Sequence, residues 1–229
     1  MASLDLIRHN TQTMLNLKPS FPADRVPRIL FLGAHSDDIE IGCGGAALRL
    51  LSEHPNAEVR WVVLGCNPIR AIEARQSAQE FLRNTPRSEI VTHDFPDAFF
   101  PSRAADMKRC FEPLKDFQPD LIFTHCGHDH HQDHRVISEL TWNTFRNHLI
   151  LEYEVPKYDA DLRSPGVFVA LTKDQCEAKV SLLMKHFATQ RGKHWFDPEV
   201  FKGLMRIRGL ECCSPSGYAE GFYARKIVL

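Results

Sequence analysis

The sequence predicts an α/β fold, a mostly parallel sheet with helices on both faces. Three observations point there: the length, the alternation of short apolar β-rich runs with helical stretches, and two polar clusters placed directly after such runs. At 229 residues the chain has the size of one α/β domain. Hydrophobic residues at 43% and charged residues at 25% are ordinary globular usage, which excludes a disordered chain, a fibre or a coiled coil. We expect a single domain over residues 1–229, with the sheet core at about 28–150 and a substrate rim with C-terminal elements at about 151–229.

Taken in order, residues 1–26 read as a short helix and a Pro-punctuated lead-in. Arg28 to Gly33 (RILFLG) is a compact β-forming run bounded by Pro27 and Gly33, hence a buried strand. Ala46 to Ser52 has helical spacing and closes a first βα unit, and Glu58 to Leu64 (EVRWVVL) is a second strand. Ile69 to Arg83 is an amphipathic helix, Glu89 to Thr92 a short strand, and Ala104 to Phe117 a helix ended by Gln118-Pro119. Leu121 to Thr124 is a short buried strand, followed by a helix over Asp133 to Asn147. Beyond residue 150 the pattern loosens to a strand at Val167 to Leu171, a helix at Lys173 to Ala188 and a last strand at Phe222 to Leu229. Strands alternating with helices of about 10 to 15 residues give a Rossmann-like parallel sheet, here with a C-terminal rim subdomain.

Charge and apolar patterning remove several functions. Lys+Arg 28 against Asp+Glu 29 leaves a net charge of -1, without the basic footprint of a nucleic-acid binder. No stretch reaches the roughly 18 to 20 apolar residues of a membrane span, and the first twenty residues lack the apolar core of a secretory signal. Seven Cys without a CxxC pair fit reduced thiols in a cytoplasm, with Cys43 and Cys126 as a minor ligand alternative near the chemistry. Gly42, Gly44 and Gly45 match neither G-x-G-x-x-G nor the Walker pattern, so close helix-to-sheet packing explains them better than a phosphate loop.

The chemistry lies in the two polar clusters, Gly33 to Glu40 (GAHSDDIE) and His125 to Arg135 (HCGHDHHQDHR). Each follows a predicted parallel strand, and ligand crevices of open α/β sheets lie beyond the carboxyl ends of the strands. Imidazole plus carboxylate suits Zn²⁺ or another first-row divalent ion. His35 and Asp38, three apart, point one way within a turn, and His134 would complete three ligands, leaving one position open to water. Asp37 beside them is free to take a proton. His131 and Asp133 form a His-x-Asp pair, in which the carboxylate could orient a cationic imidazole that stabilises an oxyanion. The bland alternatives are an Asp-Asp helix cap and a solvated or loosely metal-trapping His tract.

At these residues the chain resembles the PIG-L/LmbE-like family of zinc-dependent N-acetylglucosaminyl deacetylases. His35-Ser36-Asp37-Asp38 followed by Gly42-Cys43-Gly44-Gly45 resembles its His-Pro-Asp-Asp-Glu motif with a Gly-rich segment, with Ser36 for Pro and the acid shifted to Glu40. His131-Gln132-Asp133-His134 resembles its His-x-Asp-His motif. Arg70-x-x-Glu73, Phe95-Pro96-Asp97 and Tyr218-Ala219-Glu220 resemble three shorter family signatures. The resemblance implies His35, Asp38 and His134 as ligands of Zn²⁺ (Fe²⁺ being an alternative), Asp37 as general base, His131 as oxyanion stabiliser oriented by Asp133, and Arg70 and Asp97 as substrate contacts. It further implies a small N-acetylated substrate, an acetamido sugar in the family's sense, and a homo-oligomer. A non-sugar N-acyl substrate and a non-catalytic metal-binding module are the rivals. Glu152 to Asp159, His186, His194 and Trp195 read equally as pocket rim or as packing.

Overall fold

The computed structural model describes residues 15–228. The helix expected within residues 1–26 falls partly on residues 1–14, outside the described ones, and residues 15–26 form no helix. The chain then runs β1 (Arg28–His35), α1 (Asp38–Glu53), β2 (Glu58–Gly65), α2 (Pro68–Phe81), β3 (Arg87–Thr92), α3 (Phe100–Phe111), β4 (Leu121–His125) and α4 (Gln132–Thr144). It continues with β5 (Leu149–Tyr153), β6 (Val167–Leu171), α5 (Lys173–His186), α6 (Pro198–Glu211) and β7 (Tyr218–Tyr223). The seven strands make one sheet in the order β3-β2-β1-β4-β5-β7-β6. The first five strands are parallel and β7 runs antiparallel to both its neighbours. The expected rim region therefore continues the same sheet.

Side chains alternate across a strand, and β1 shows both faces filled. Ile29 and Phe31 join the core under α1, α2 and α5, while Leu30 and Leu32 join the core under α3 and α4. The structure departs from the expected boundaries in places with clear local causes. The first helix begins at Asp38, not Ala46, and Cys43 (φ -143°, ψ 18°) breaks its regular course. The helix expected over 104–117 is α3 followed by a 3₁₀ segment, Glu112–Phe117, where Pro113 enters. Helix α6 and strand β5 were not anticipated, and β7 starts four residues earlier than expected.

The break in α1 is held by a buried ion pair. Lys179 Nζ donates to the Ile41 carbonyl and to Glu220 Oε1, both at 2.6 Å. The Glu220 carboxylate accepts the N–H groups of Gly45 (2.9 Å) and Ala46 (2.6 Å). Groups freed by the irregular turn thus find charged partners, as buried backbone must. Gly42 lets α1 lie against β5, since a Cβ there would stand 2.1 Å from the Tyr153 ring. Tyr153 is fully buried and its hydroxyl donates to the Leu32 carbonyl at 2.7 Å.

The 152–159 segment accordingly divides: Glu152 and Tyr153 are core, whereas Tyr158 is 70% exposed. Trp195 packs edge-on against Phe196, His186 lies 3.4 Å from Glu80 at the end of α5, and His194 is exposed, so packing accounts for the first two. Among the described residues no helix is long and apolar enough to cross a membrane.

Candidate metal centre and active site

Strands β1 and β4 are hydrogen-bonded neighbours, so their C-terminal ends deliver the two polar clusters to one place. His35 is the last residue of β1, Asp37 stands at the N-cap position of α1 with its side chain free of the cap bond, and Asp38 opens the helix. His125 ends β4, His131 caps α4, and Asp133 and His134 occupy the first turn of that helix. His35, Asp37, Asp38, Asp133 and His134 are all buried.

The hydrogen bonds assign the protons. His134 Nδ1 donates to Asp129 Oδ2 at 2.8 Å, which leaves the Nε2 lone pair facing inward. His35 Nε2 faces the carboxylates of Asp133 and Asp97, each at 3.1 Å, which leaves its Nδ1 facing inward. These two nitrogens stand 3.3 Å apart, and Asp38 Oδ2 lies 3.3 Å from His35 Nδ1 and 3.4 Å from His134 Nε2. A third imidazole cannot relieve them: His125 Nε2, 3.2 Å from Asp38 Oδ2, accepts the Ala34 N–H at 2.9 Å. With His35 neutral, three electron-pair donors converge there, an arrangement that fits a divalent cation in place of a proton. The carboxylates of Asp38, Asp133 and Asp97 hold the His35 imidazole well above its ordinary pKa against the opposing effect of burial. The pocket attracts positive charge.

Two further groups of potential ligands overlap this one. In His125, Asp129 and His134, the Asp129 carboxylate already pairs with Lys157 Nζ at 2.9 Å, a cation where a second would have to sit. In His35, Asp97, His131 and Asp133, Asp133 is spent on backbone: Oδ2 accepts the Ala98 N–H at 2.7 Å and Oδ1 the Phe100 N–H at 3.1 Å. Neither cysteine considered as an alternative belongs to any of these groups. Burial pushes the Cys126 thiol up to about 11 and the Cys43 thiol well above its ordinary value.

Asp37 stands beside this cluster. Its Oδ1 accepts from Arg70 Nη2 at 2.5 Å, while Oδ2 is buried without a hydrogen-bond partner. Burial raises the Asp37 pKa, opposed by Arg70 and reinforced by Asp38. Arg70 comes from the first turn of α2, where Pro68 and the Asn67 cap start the helix.

All eight predicted site residues thus come together, with three changed partnerships. Asp133 bonds to His35 and not to His131, whose Nδ1 instead accepts the Asp133 backbone N–H at 3.2 Å. Burial, with His134 and His35 beside it, lowers the His131 pKa, which disfavours the cationic form expected from the sequence. Arg70, expected to meet substrate, holds Asp37. Asp97 borders His35 with its side chain 67% exposed, and the His35 hydrogen bond brings its carboxyl down to about 2. Sequence reasoning missed His125, Asp129 and Lys157 as individual members of the site. The first two lie in the His-rich tract, but Lys157 had no local signal.

Comparison with known proteins gives a consistent family assignment. Residues 30–145 match the PIG-L family, described as GlcNAc-PI de-N-acetylase. An uncharacterized deacetylase of Escherichia coli (strain K12), YaiS, is 25% identical over 172 residues, covering 72% of this chain and 92% of that protein. The N,N'-diacetylchitobiose deacetylase from Pyrococcus horikoshii superposes with a TM-score of 0.67 at 20% identity, over 88% of this chain and 84% of its own. GalB, the 4-carboxy-2-hydroxymuconate hydratase from Pseudomonas putida KT2440, superposes with a TM-score of 0.71 at 15% identity, over 89% and 98%. At such identities the structural likeness establishes the fold alone.

Proposed function

The chain belongs to the PIG-L family, and from that premise we propose that it is a metal-dependent hydrolase removing an N-acetyl group from an amino sugar or sugar conjugate. The observation that carries the reading is the convergence of His35, Asp38 and His134 beside a buried, unpartnered Asp37 oxygen. His35 Nδ1, Asp38 Oδ2 and His134 Nε2 would hold the ion. When bound, a divalent ion such as Zn²⁺ or Fe²⁺ supplies Lewis acidity towards the amide carbonyl and the attacking water.

The rest of the chemistry belongs to the chain's own side chains. Arg70 fixes Asp37 Oδ1, which leaves Oδ2 as the acceptor for the proton released when water attacks the carbonyl carbon. Burial favours that transfer, because it raises the basicity of the carboxylate. His131, accepting backbone N–H at Nδ1, carries its proton on Nε2 and donates it as a neutral hydrogen-bond donor to the developing oxyanion. Asp37 then passes its proton to the departing amine as the C–N bond breaks. Asp133 keeps the His35 proton on Nε2, a positioning role. Asp97, exposed at the mouth, is the acid left to meet a substrate hydroxyl.

The GalB likeness shows that this scaffold also serves a hydratase, so the test must read the bond broken. Purified protein is stripped with a chelator, reloaded with Zn²⁺, and offered N-acetylglucosamine, N,N'-diacetylchitobiose and simple N-acetyl amines. Acetate release from the sugars, lost on stripping and restored by Zn²⁺, is expected. Release only from non-sugar amides would move the substrate class, and no release from any of them by fully loaded protein would overturn the reading.

A further inference from the structure

The segment after β5 contains a side chain that the proposed reaction does not use. Lys157 lies 28 residues beyond Asp129, yet its Nζ sits 2.9 Å from Asp129 Oδ2 and 2.7 Å from Asp161 Oδ2. All three side chains are withdrawn from solvent, at 10%, 3% and 4% exposure. The same Asp129 Oδ2 accepts the His134 Nδ1 proton, and Asp129 Oδ1 accepts the His131 N–H at 2.8 Å. Asp161 Oδ2 in turn accepts the His130 N–H at 2.7 Å. The loop after β5 is therefore fastened at two points to the loop that leads into α4 and His134.

We propose that Asp129 and Lys157 are positioning residues for the metal ligand His134, with Lys157 clamping the carboxylate that fixes the imidazole's tautomer and plane. The inference rests on the metal-site reading above. A carboxylate behind a ligating imidazole holds one proton in place and the ring at one angle. That carboxylate can do so only if it is itself held. Asp129 sits on an irregular loop, where a swing about its own side-chain torsions would carry Oδ2 away from Nδ1. Lys157 and the His131 N–H restrain its two oxygens separately, and Asp161 with the Val155 carbonyl (3.4 Å) restrains Lys157.

The experiment measures Zn²⁺ dissociation constants by chelator competition, and Co²⁺ absorption, on parent and variant proteins whose apo forms are checked by circular dichroism. Asp129→Ala is expected to weaken Zn²⁺ binding by roughly 10- to 100-fold, the range for loss of such an outer partner. Asp129→Asn should lose less, because its amide oxygen still accepts from Nδ1. Lys157→Met should weaken binding by up to about tenfold, and Lys157→Arg should restore it. The visible Co²⁺ bands should shift in Asp129→Ala and Lys157→Met and return in Lys157→Arg.

Parent-like Zn²⁺ affinity and Co²⁺ bands in Lys157→Met, even with a lower melting temperature, would overturn the proposal by leaving Lys157 a merely structural role. Tighter Zn²⁺ binding by Lys157→Met would overturn it too, since the lysine would then only repel the ion. Should Asp129→Ala fail to fold, Asp129→Asn and Lys157→Met decide the matter. A parent protein that binds no Zn²⁺ would sink the metal reading together with this inference, whereas normal binding in the variants sinks the inference alone.

Discussion

Asp37→Asn separates the proposed general base from everything around it. Asparagine has the shape of aspartate, so it can still offer Oδ1 to Arg70 Nη2, which lies 2.5 Å away in the parent, and no side-chain cap of α1 is lost. Arg70 has only donors to present, and this pins the amide oxygen toward it and turns the NH₂ to the position of Oδ2. That position holds the one buried carboxylate oxygen of Asp37 with no partner, and the substitution replaces a proton acceptor there with a donor. None of His35, Asp38 and His134 is touched. General-base catalysis contributes roughly 10² to 10⁴ in rate, which at 1.36 kcal/mol per tenfold is about 3 to 5 kcal/mol of barrier. Acetate release by the Zn²⁺-loaded variant should therefore show kcat lower by that factor, with KM changed little and one ion still bound per chain. Turnover within about tenfold of the parent would refute the assignment of Asp37 as base. Loss of the ion would refute the separation of base from ligands on which the argument depends.

Two further predictions concern buried charge. Glu220→Ala strands Lys179 and removes the acceptor for the Gly45 and Ala46 N–H groups, and breaking a buried ion pair from one side costs about 3 to 5 kcal/mol. At about 2 to 4 °C per kcal/mol for a chain of this size the melting temperature should fall by roughly 6 to 20 °C, and a fall of less than about 3 °C would contradict the role given to the pair. Glu40 is buried with neither carboxyl oxygen bonded, and burial pushes it up to about 8. The unfolded chain gives up this proton near pH 4.5 while the folded chain keeps it, so stability present at acid pH is lost progressively as pH rises to about 8. Glu40→Gln should thus gain on the parent in melting temperature from about pH 5 to pH 8, and parallel pH profiles would count against it.

The sheet was legible because its signals are local. Arg28 to Gly33 and Leu121 to Thr124 are short apolar runs between breakers, and both became buried neighbouring strands. The later elements were harder for a specific reason. Helix α6 carries its start signal, Asp197 then Pro198, but its partly exposed face, with Ile207 at 54% and Leu210 at 78% exposure, blurs the apolar stripe. The first helix starts eight residues before the expected Ala46, since Gly42, Gly44 and Gly45 are weak helix formers that blur its signal. They are accommodated in the helix because Tyr153, Phe81 and Leu171 fill the space beside them and Glu220 caps the break, partners located 37 to 175 residues away.

The site divides along the same line, and the division has a consequence for reading such sequences. The residues proposed to hold the ion, with Asp37 and His131, come in two compact clusters, since each cluster is the turn at the end of one strand. Partners that orient them also cross from one cluster to the other or come from outside both. Asp133 of α4 turns to His35 of β1, Arg70 of α2 to Asp37, and Lys157 beyond β5 to Asp129. Spacing within a motif pairs Asp133 with His131 because they are two residues apart, yet the helix start directs the backbone of Asp133, not its carboxylate, to that ring. Its carboxylate instead gathers Ala98, held at φ 68° in the left-handed region, and Phe100, so one side chain fixes both a ligand and the loop bearing Asp97. Chemistry follows strand ends and can be read along the chain. Orientation follows tertiary contact, which is why substitutions at Arg70, Asp133 and Lys157 should alter the proposed catalyst without lying in either cluster's ligand set.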